Sequence, residues 1–108
     1  MLLVDSAHRW LVDAGPVIYL AKVEALDVLG PPGRSAITEG VERETVMPQA
    51  AYRFPEIAHI DAAIRSGLLD VVALTNDEQA SADALGRRIP GLGRGERETI
   101  VVAAARGW

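Results

Sequence analysis

The chain has 108 residues, 49% of them hydrophobic and 24% charged, with a formal net charge of −4. That length suits one domain around one core, and the composition excludes a disordered chain. Cysteine is absent, which removes disulfides and thiolate metal sites and fits a reducing cytoplasm.

No run of about 18 apolar residues is present to span a membrane. The opening MLLVDSAHRW lacks a basic segment followed by a long apolar one, so no signal peptide is expected. The acidic balance lacks the basic footprint of a typical nucleic-acid binder. It still leaves room for a nuclease whose acids hold a cation, because the cation reverses the local sign. Ten arginines stand against one lysine, Lys22. Guanidinium groups suit bidentate phosphate contacts, and a G+C-rich genome gives the same bias.

In chain order, Trp10-Leu11-Val12-Asp13 reads as a buried strand ending in an acid. An echo of it, Leu3-Val4-Asp5, leaves two candidates for that strand's acid. Ala14-Gly15-Pro16 breaks the strand, and Pro16 opens a helix over residues 17–29. Gly30-Pro31-Pro32-Gly33 is a loop. Residues 34–37 form a second strand, short and edge-like. Thr38 caps a helix that reaches about Val46, before Met47-Pro48. Pro55 opens a third helix with Ile57, Ile60 and Ile64 on one face and Gly67 at its end. Residues 68–74 form the third strand. Asn76 caps a helix over 77–88, with Ala80, Ala84 and Leu85 on one face. After Pro90-Gly91-Leu92-Gly93, a last helix runs over 95–106. This order predicts an α/β fold with a parallel sheet covered by helices, in a single domain over residues 1–108.

Acids at strand ends and helix starts of such a sheet converge on its carboxyl edge, where open α/β sheets bind ligands. Asp13 ends the first strand, Glu39, Glu42 and Glu44 follow the second, and Glu96 opens the last helix. Gathered carboxylates repel unless a cation neutralises them, which points to Mg²⁺ or Mn²⁺. Glu98 lies about 200° around the helix from Glu96 and is placed on the surface. Arg87, Arg88, Arg94 and Arg97 surround the last loop. Arg94 and Arg97 are the candidates for RNA phosphates, with plain surface charge as the alternative. The Gly91-x-Gly93-x-Gly95 spacing follows a helix, so it fails as a dinucleotide loop. His8 and His59 are isolated.

Three segments carry a resemblance. WLVDAGPVIYLAKVEALDVL, ITEGVERETV and LGRGERETIVVAAARGW are similar, in order, to the three acidic motifs of PIN domains. The resemblance implies a PIN-like α/β/α sandwich and a Mg²⁺- or Mn²⁺-dependent endoribonuclease. Carried over by residue, Asp13 matches the first metal-binding acid, Glu44 the second with Glu42 as its alternative, and Glu96 the third. Many small PIN proteins are toxins restrained by an antitoxin, so RNA and an antitoxin are the implied partners. The family pattern continues into a further strand, usually paired beside the first and often carrying another acid. This sequence ends at Gly107-Trp108, so the fold is expected to be short at its C-terminal end. Its first strand would then offer an unpaired edge to another copy. The competing reading is therefore a catalytically inactive PIN module that acts in protein–protein association. A phosphoacceptor receiver domain needs an acceptor acid ending the third strand, but Asp70 stands near that strand's start.

Overall fold

The protein is described from a computed structural model covering residues 9–46 and 54–108. Leu3-Val4-Asp5, His8 and Met47-Pro48 lie outside the described residues. The elements are β1 (Trp10–Leu11), α1 (Ala14–Lys22), a 3₁₀ turn (Leu26–Leu29), β2 (Ser35–Thr38), α2 (Glu39–Thr45), α3 (Pro55–Arg65), β3 (Leu69–Val72), α4 (Asn76–Arg88) and α5 (Arg94–Arg106). Three parallel strands form one sheet in the order β1-β2-β3. Trp10 stands opposite Ser35, and Ser35 opposite Leu69.

The strand expected at an edge is the central one. All four residues of β2 are buried. Ser35 and Thr38 gave it an edge-like look, but both hydroxyls find internal partners. Ser35 donates to the Leu29 carbonyl at 2.7 Å, and Thr38 accepts the Val41 N–H at 3.3 Å as the cap of α2. Small polar residues are tolerated in a central strand when their hydroxyls are satisfied in this way.

The main core lies on one face of the sheet. Val17 and Ala21 of α1, Ile60 and Ala63 of α3, Val41 and Leu29 pack over Ile37 and Leu69. Ile60 is the buried centre of the α3 stripe, with Ile57 and Ile64 half-buried beside it. On the other face α4 and α5 pack together, burying Ala82 and Val102, and α5 also meets β2. This is the α/β/α layering expected of the sequence. No described helix is long and apolar enough to cross a membrane.

The long helix expected over 17–29 is two pieces, and it starts earlier, at Ala14. Asp13 accepts the Ala14 N–H and so caps α1. At the other end, the Ala25 N–H returns to the Leu20 carbonyl at 2.8 Å and the Glu24 N–H to Ala21 at 3.2 Å. That pattern is a Schellman closure, with Glu24 in the left-handed conformation at φ 55°. Glycine normally fills this position, and its absence hides the helix end from a sequence reader. Val28, within the span expected to be helical, is exposed.

The cap of α4 is Thr75 in place of Asn76. Thr75 accepts the Glu78 N–H, and Glu78 accepts the Thr75 N–H, which is a complete capping box. The buried positions of α4 are Glu78 and Ala82, while Ala80 faces solvent. Arg106 clamps Glu78 with two hydrogen bonds of 2.9 and 2.8 Å and also donates to the Ala73 carbonyl. The Trp108 ring lies between the guanidinium groups of Arg9 and Arg106, 5.4 and 5.2 Å from its centre. Arg9 in turn donates to the Gly33 carbonyl and pairs with Asp70 of β3. The end of α5 is thereby tied both to α4 and to the start of the sheet.

The Arg106 hydrogen bonds hold the Glu78 carboxyl at about 2, below its ordinary 4.5, against the opposing cost of burial. A depressed carboxylate pKa stabilises the fold above the unfolded value, and that stability is lost as pH falls through the folded one. Unfolding free energy is therefore expected to drop by up to about 3 kcal/mol between pH 4.5 and 2 from this group alone. Urea titrations across that range should show a shallower decline in Glu78→Gln. An identical decline in the variant would contradict the assignment.

Candidate functional site

β1 and β2 run parallel, so their carboxyl ends lie side by side. The Val12 N–H reaches the Ala36 carbonyl at 2.9 Å, which brings Asp13 beside Thr38 at the start of α2. The N-terminal half of α5 crosses this edge and packs on α2. Four acids stand along this edge, and each accepts a backbone N–H at a helix start.

Asp13 Oδ1 accepts the Ala14 N–H at 2.7 Å. Glu44 Oε1 reaches from the last turn of α2 to the Gly95 N–H of α5 at 2.8 Å. Glu96 Oε1 accepts the Gly93 N–H at 3.2 Å. Gly93 has no side chain to complete a capping box, so only that half exists. Glu98 Oε1 accepts the Gly40 N–H of α2 at 2.8 Å. Helix N-termini carry partial positive charge, which favours carboxylates at each of these points.

Glu98 overturns its sequence assignment. It is 1% exposed, not a surface residue. The 200° separation from Glu96 is real, and the direction is inward. Gly95, Glu98 and Val102 form the buried stripe of α5. Their spacing of three and four was the available signal, but a glutamate in the stripe was read as polar face. A buried carboxylate needs partners. Besides Gly40, Glu98 has Arg94, whose Nε lies 2.7 Å from Oε2.

Arg94 is therefore committed to the acids. Its pKa is raised, first by the hydrogen bond to Glu98 and then by the charges of Glu98, Glu39 and Glu44, against some desolvation. It acts as the cluster's internal counter-cation. Arg97 behaves differently and lies in a separate pocket with Arg87. Of the two candidates for the second acid, Glu44 is the one that reaches α5, while Glu42 is half-buried on α2.

Two glycines make these approaches possible. A methyl group at Gly40 would sit 2.7 Å from Glu98 Oε1, and one at Gly95 would sit 2.8 Å from Glu44 Oε2. Both distances are shorter than real contacts allow. A methyl group at Gly93 would lie 3.5 Å from Glu96 Oε1 and 3.8 Å from Glu44 Oε1, so these two carboxylates flank the same glycine. The donors are all carboxylate oxygens, the chemistry that Mg²⁺ and Mn²⁺ prefer. Among the described residues, however, no three acidic or histidine side chains converge on one metal position. The carboxylates are turned toward N–H groups and Arg94 instead.

A family model described as a PIN domain matches residues 9–107. The chain belongs to the PIN-domain family. The match spans every described element, and a PIN domain places this chain among nuclease folds. No curated protein and no solved structure matches it.

The glycine contacts yield opposite signs for similar substitutions. Alanine favours a helix by about 1 kcal/mol over glycine. Gly15→Ala, with nothing within 4 Å of the new methyl, should stabilise this PIN domain by about 0.5–1 kcal/mol. Gly40→Ala must break the Glu98 bond and leave a buried carboxylate underpaired, so a net loss of about 1–2 kcal/mol is expected. Urea denaturation of the two variants measures both. A stabilised Gly40→Ala would show that Glu98 is not anchored there.

Proposed function

We propose that this PIN domain is a Mg²⁺- or Mn²⁺-dependent endoribonuclease. Asp13, Glu44 and Glu98 would hold the cation, with Glu96 on the exposed rim of the same site. The observation that carries this reading is Glu98, a buried carboxylate fixed at the carboxyl edge of the sheet in a chain of this family. Burying a charge costs several kcal/mol unless it is compensated, and the compensation here comes from Arg94 and the Gly40 N–H, a role that a bound cation would share. Glu96, first chosen from the motif as the third acid, remains in the site as a carboxylate beside Glu44.

When bound, the cation supplies Lewis acidity for water and a counter-charge for the phosphodiester. The chain's own residues do the rest. Helix N–H groups fix the carboxylates, so their positions need little reorganisation during reaction. Arg94 neutralises Glu98 while no other cation is near. Consistent with the family resemblance, RNA is the proposed substrate, the cytoplasm the proposed compartment, and an antitoxin protein the proposed restraint.

A second reading rests on β1. Its one strand neighbour is β2, so the outward N–H and C=O of Leu11 face no strand among the described residues. Trp10 beside it is 49% exposed. Unpaired edges favour association. In this reading the module pairs with a second copy or a partner chain without cleaving anything.

Asp13→Asn tests the first reading cleanly. Asparagine keeps the Oδ1 that caps α1, so the fold should persist while the charge is lost. Mn²⁺-dependent cleavage of single-stranded RNA is expected to fall to background. Equal cleavage by both proteins would remove Asp13 from the site, and a folded wild type inert with either metal would favour the association reading.

A further inference from the structure

The loop from α4 to α5 borders an open polar pocket, next to the acids but separate from them. It has a volume of about 340 Å³ and is lined by Asp83, Gly86, Arg87, Pro90, Leu92 and Arg97. Two arginines enter it, and neither has a carboxylate within ion-pair distance among the described residues. That separates them from Arg9, Arg65, Arg94 and Arg106, each of which is paired with an acid.

Arg97 is held in place. Its Nη1 donates to the Leu92 carbonyl at 3.4 Å. Its side chain lies flat on Gly86 of α4, where a methyl would sit 3.1 Å from Cδ and 3.2 Å from Nε. Glycine inside a helix costs about 1 kcal/mol relative to alanine. At position 86 that loss opens the bed on which Arg97 rests. Asp83 is the one acid in the cavity wall, and its Oδ1 is already accepting from Gln79 Nε2 at 3.1 Å. The cavity also adjoins the acids through the chain itself, since Leu92 is followed by Gly93, which Glu44 and Glu96 flank.

We propose that Arg87 and Arg97 form a phosphate-binding site that takes a backbone phosphate of single-stranded RNA beside the acidic centre. Two guanidinium groups at one pocket, that of Arg97 held by Leu92 and Gly86, suit a phosphodiester, which accepts paired N–H donors. A positive pocket beside a negative centre also resolves the mismatch between the chain's net charge of −4 and an RNA substrate. The role is positional: the pocket fixes where the strand lies relative to Glu44 and Glu96. The proposal rests on the ribonuclease reading for its ligand, but it is testable without cleavage or metal.

The experiment is fluorescence anisotropy of a labelled, unstructured oligoribonucleotide with the full chain in EDTA, across a salt series. Arg97→Ala should weaken binding by about tenfold and lower the slope of log affinity against log salt by about 0.7, the value for one phosphate contact on a single strand. Gly86→Ala should do the same by displacing Arg97, although alanine favours the helix. Arg65→Ala, on α3 and paired with Asp61, should change neither quantity. Wild-type affinity and slope in a folded Arg97→Ala would overturn the proposal. So would failure of the wild type to bind RNA, or equal competition by an acidic peptide, which would assign the pocket to carboxylates. If Mn²⁺-dependent cleavage is absent but the EDTA binding shows these dependences, the phosphate site stands and the nuclease reading alone fails.

Discussion

The arrangement of this molecule depends on one buried carboxylate. Glu98 is almost wholly removed from water, and a carboxylate buried in this way needs partners. Its two partners come from different directions, the Gly40 N–H on α2 and the Arg94 guanidinium one turn earlier on α5. Through them α5 is locked across the carboxyl ends of the strands. The requirement then spreads through the structure. Glycine at position 40 allows this approach, since a methyl there would sit 2.7 Å from Glu98 Oε1. Arg94 must turn inward, which removes it from any outward role. Thr38 caps α2 by accepting the Val41 N–H, which leaves the Gly40 N–H to Glu98.

The same principle repeats at lower burial around the site. Asp13, Glu44 and Glu96 each accept a backbone N–H at a helix start. Helix N-termini offset each of these acids, and Arg94 adds its charge beside Glu98 and Glu44. These groups leave the carboxylates of the edge individually satisfied. Competition between internal N–H partners and an added cation is then the physical question at the centre of the site.

Much of the layering was legible in the residues. The apolar run ending at Asp13, the proline that opens α3 and the glycines that follow α3 and α5 all mark elements that the structure contains. Three features were not legible, for separate reasons. The end of α1 lies at Glu24, which adopts a left-handed conformation without being glycine. The central position of β2 is masked by its small polar residues, whose hydroxyls are satisfied by the segments just before and after the strand, at Leu29 and Val41. The inward direction of Glu98 was hidden because a charged residue is normally assigned to solvent. The partners that reverse that rule, Gly40 and Arg94, become visible only in three dimensions. By contrast, the Thr75-x-x-Glu78 capping box was present in the sequence and was passed over for Asn76.

The most direct test is calorimetric titration of Mn²⁺ into the 108-residue chain at near-neutral pH, with Glu98→Gln as the comparison. Glutamine keeps the oxygen that accepts the Gly40 N–H but removes the charge, so folding should survive. The account predicts saturable Mn²⁺ binding by the wild type and a clear loss of affinity in the variant. A folded wild type that binds no Mn²⁺, or a variant that binds it equally well, would contradict the claim that these acids form a cation site.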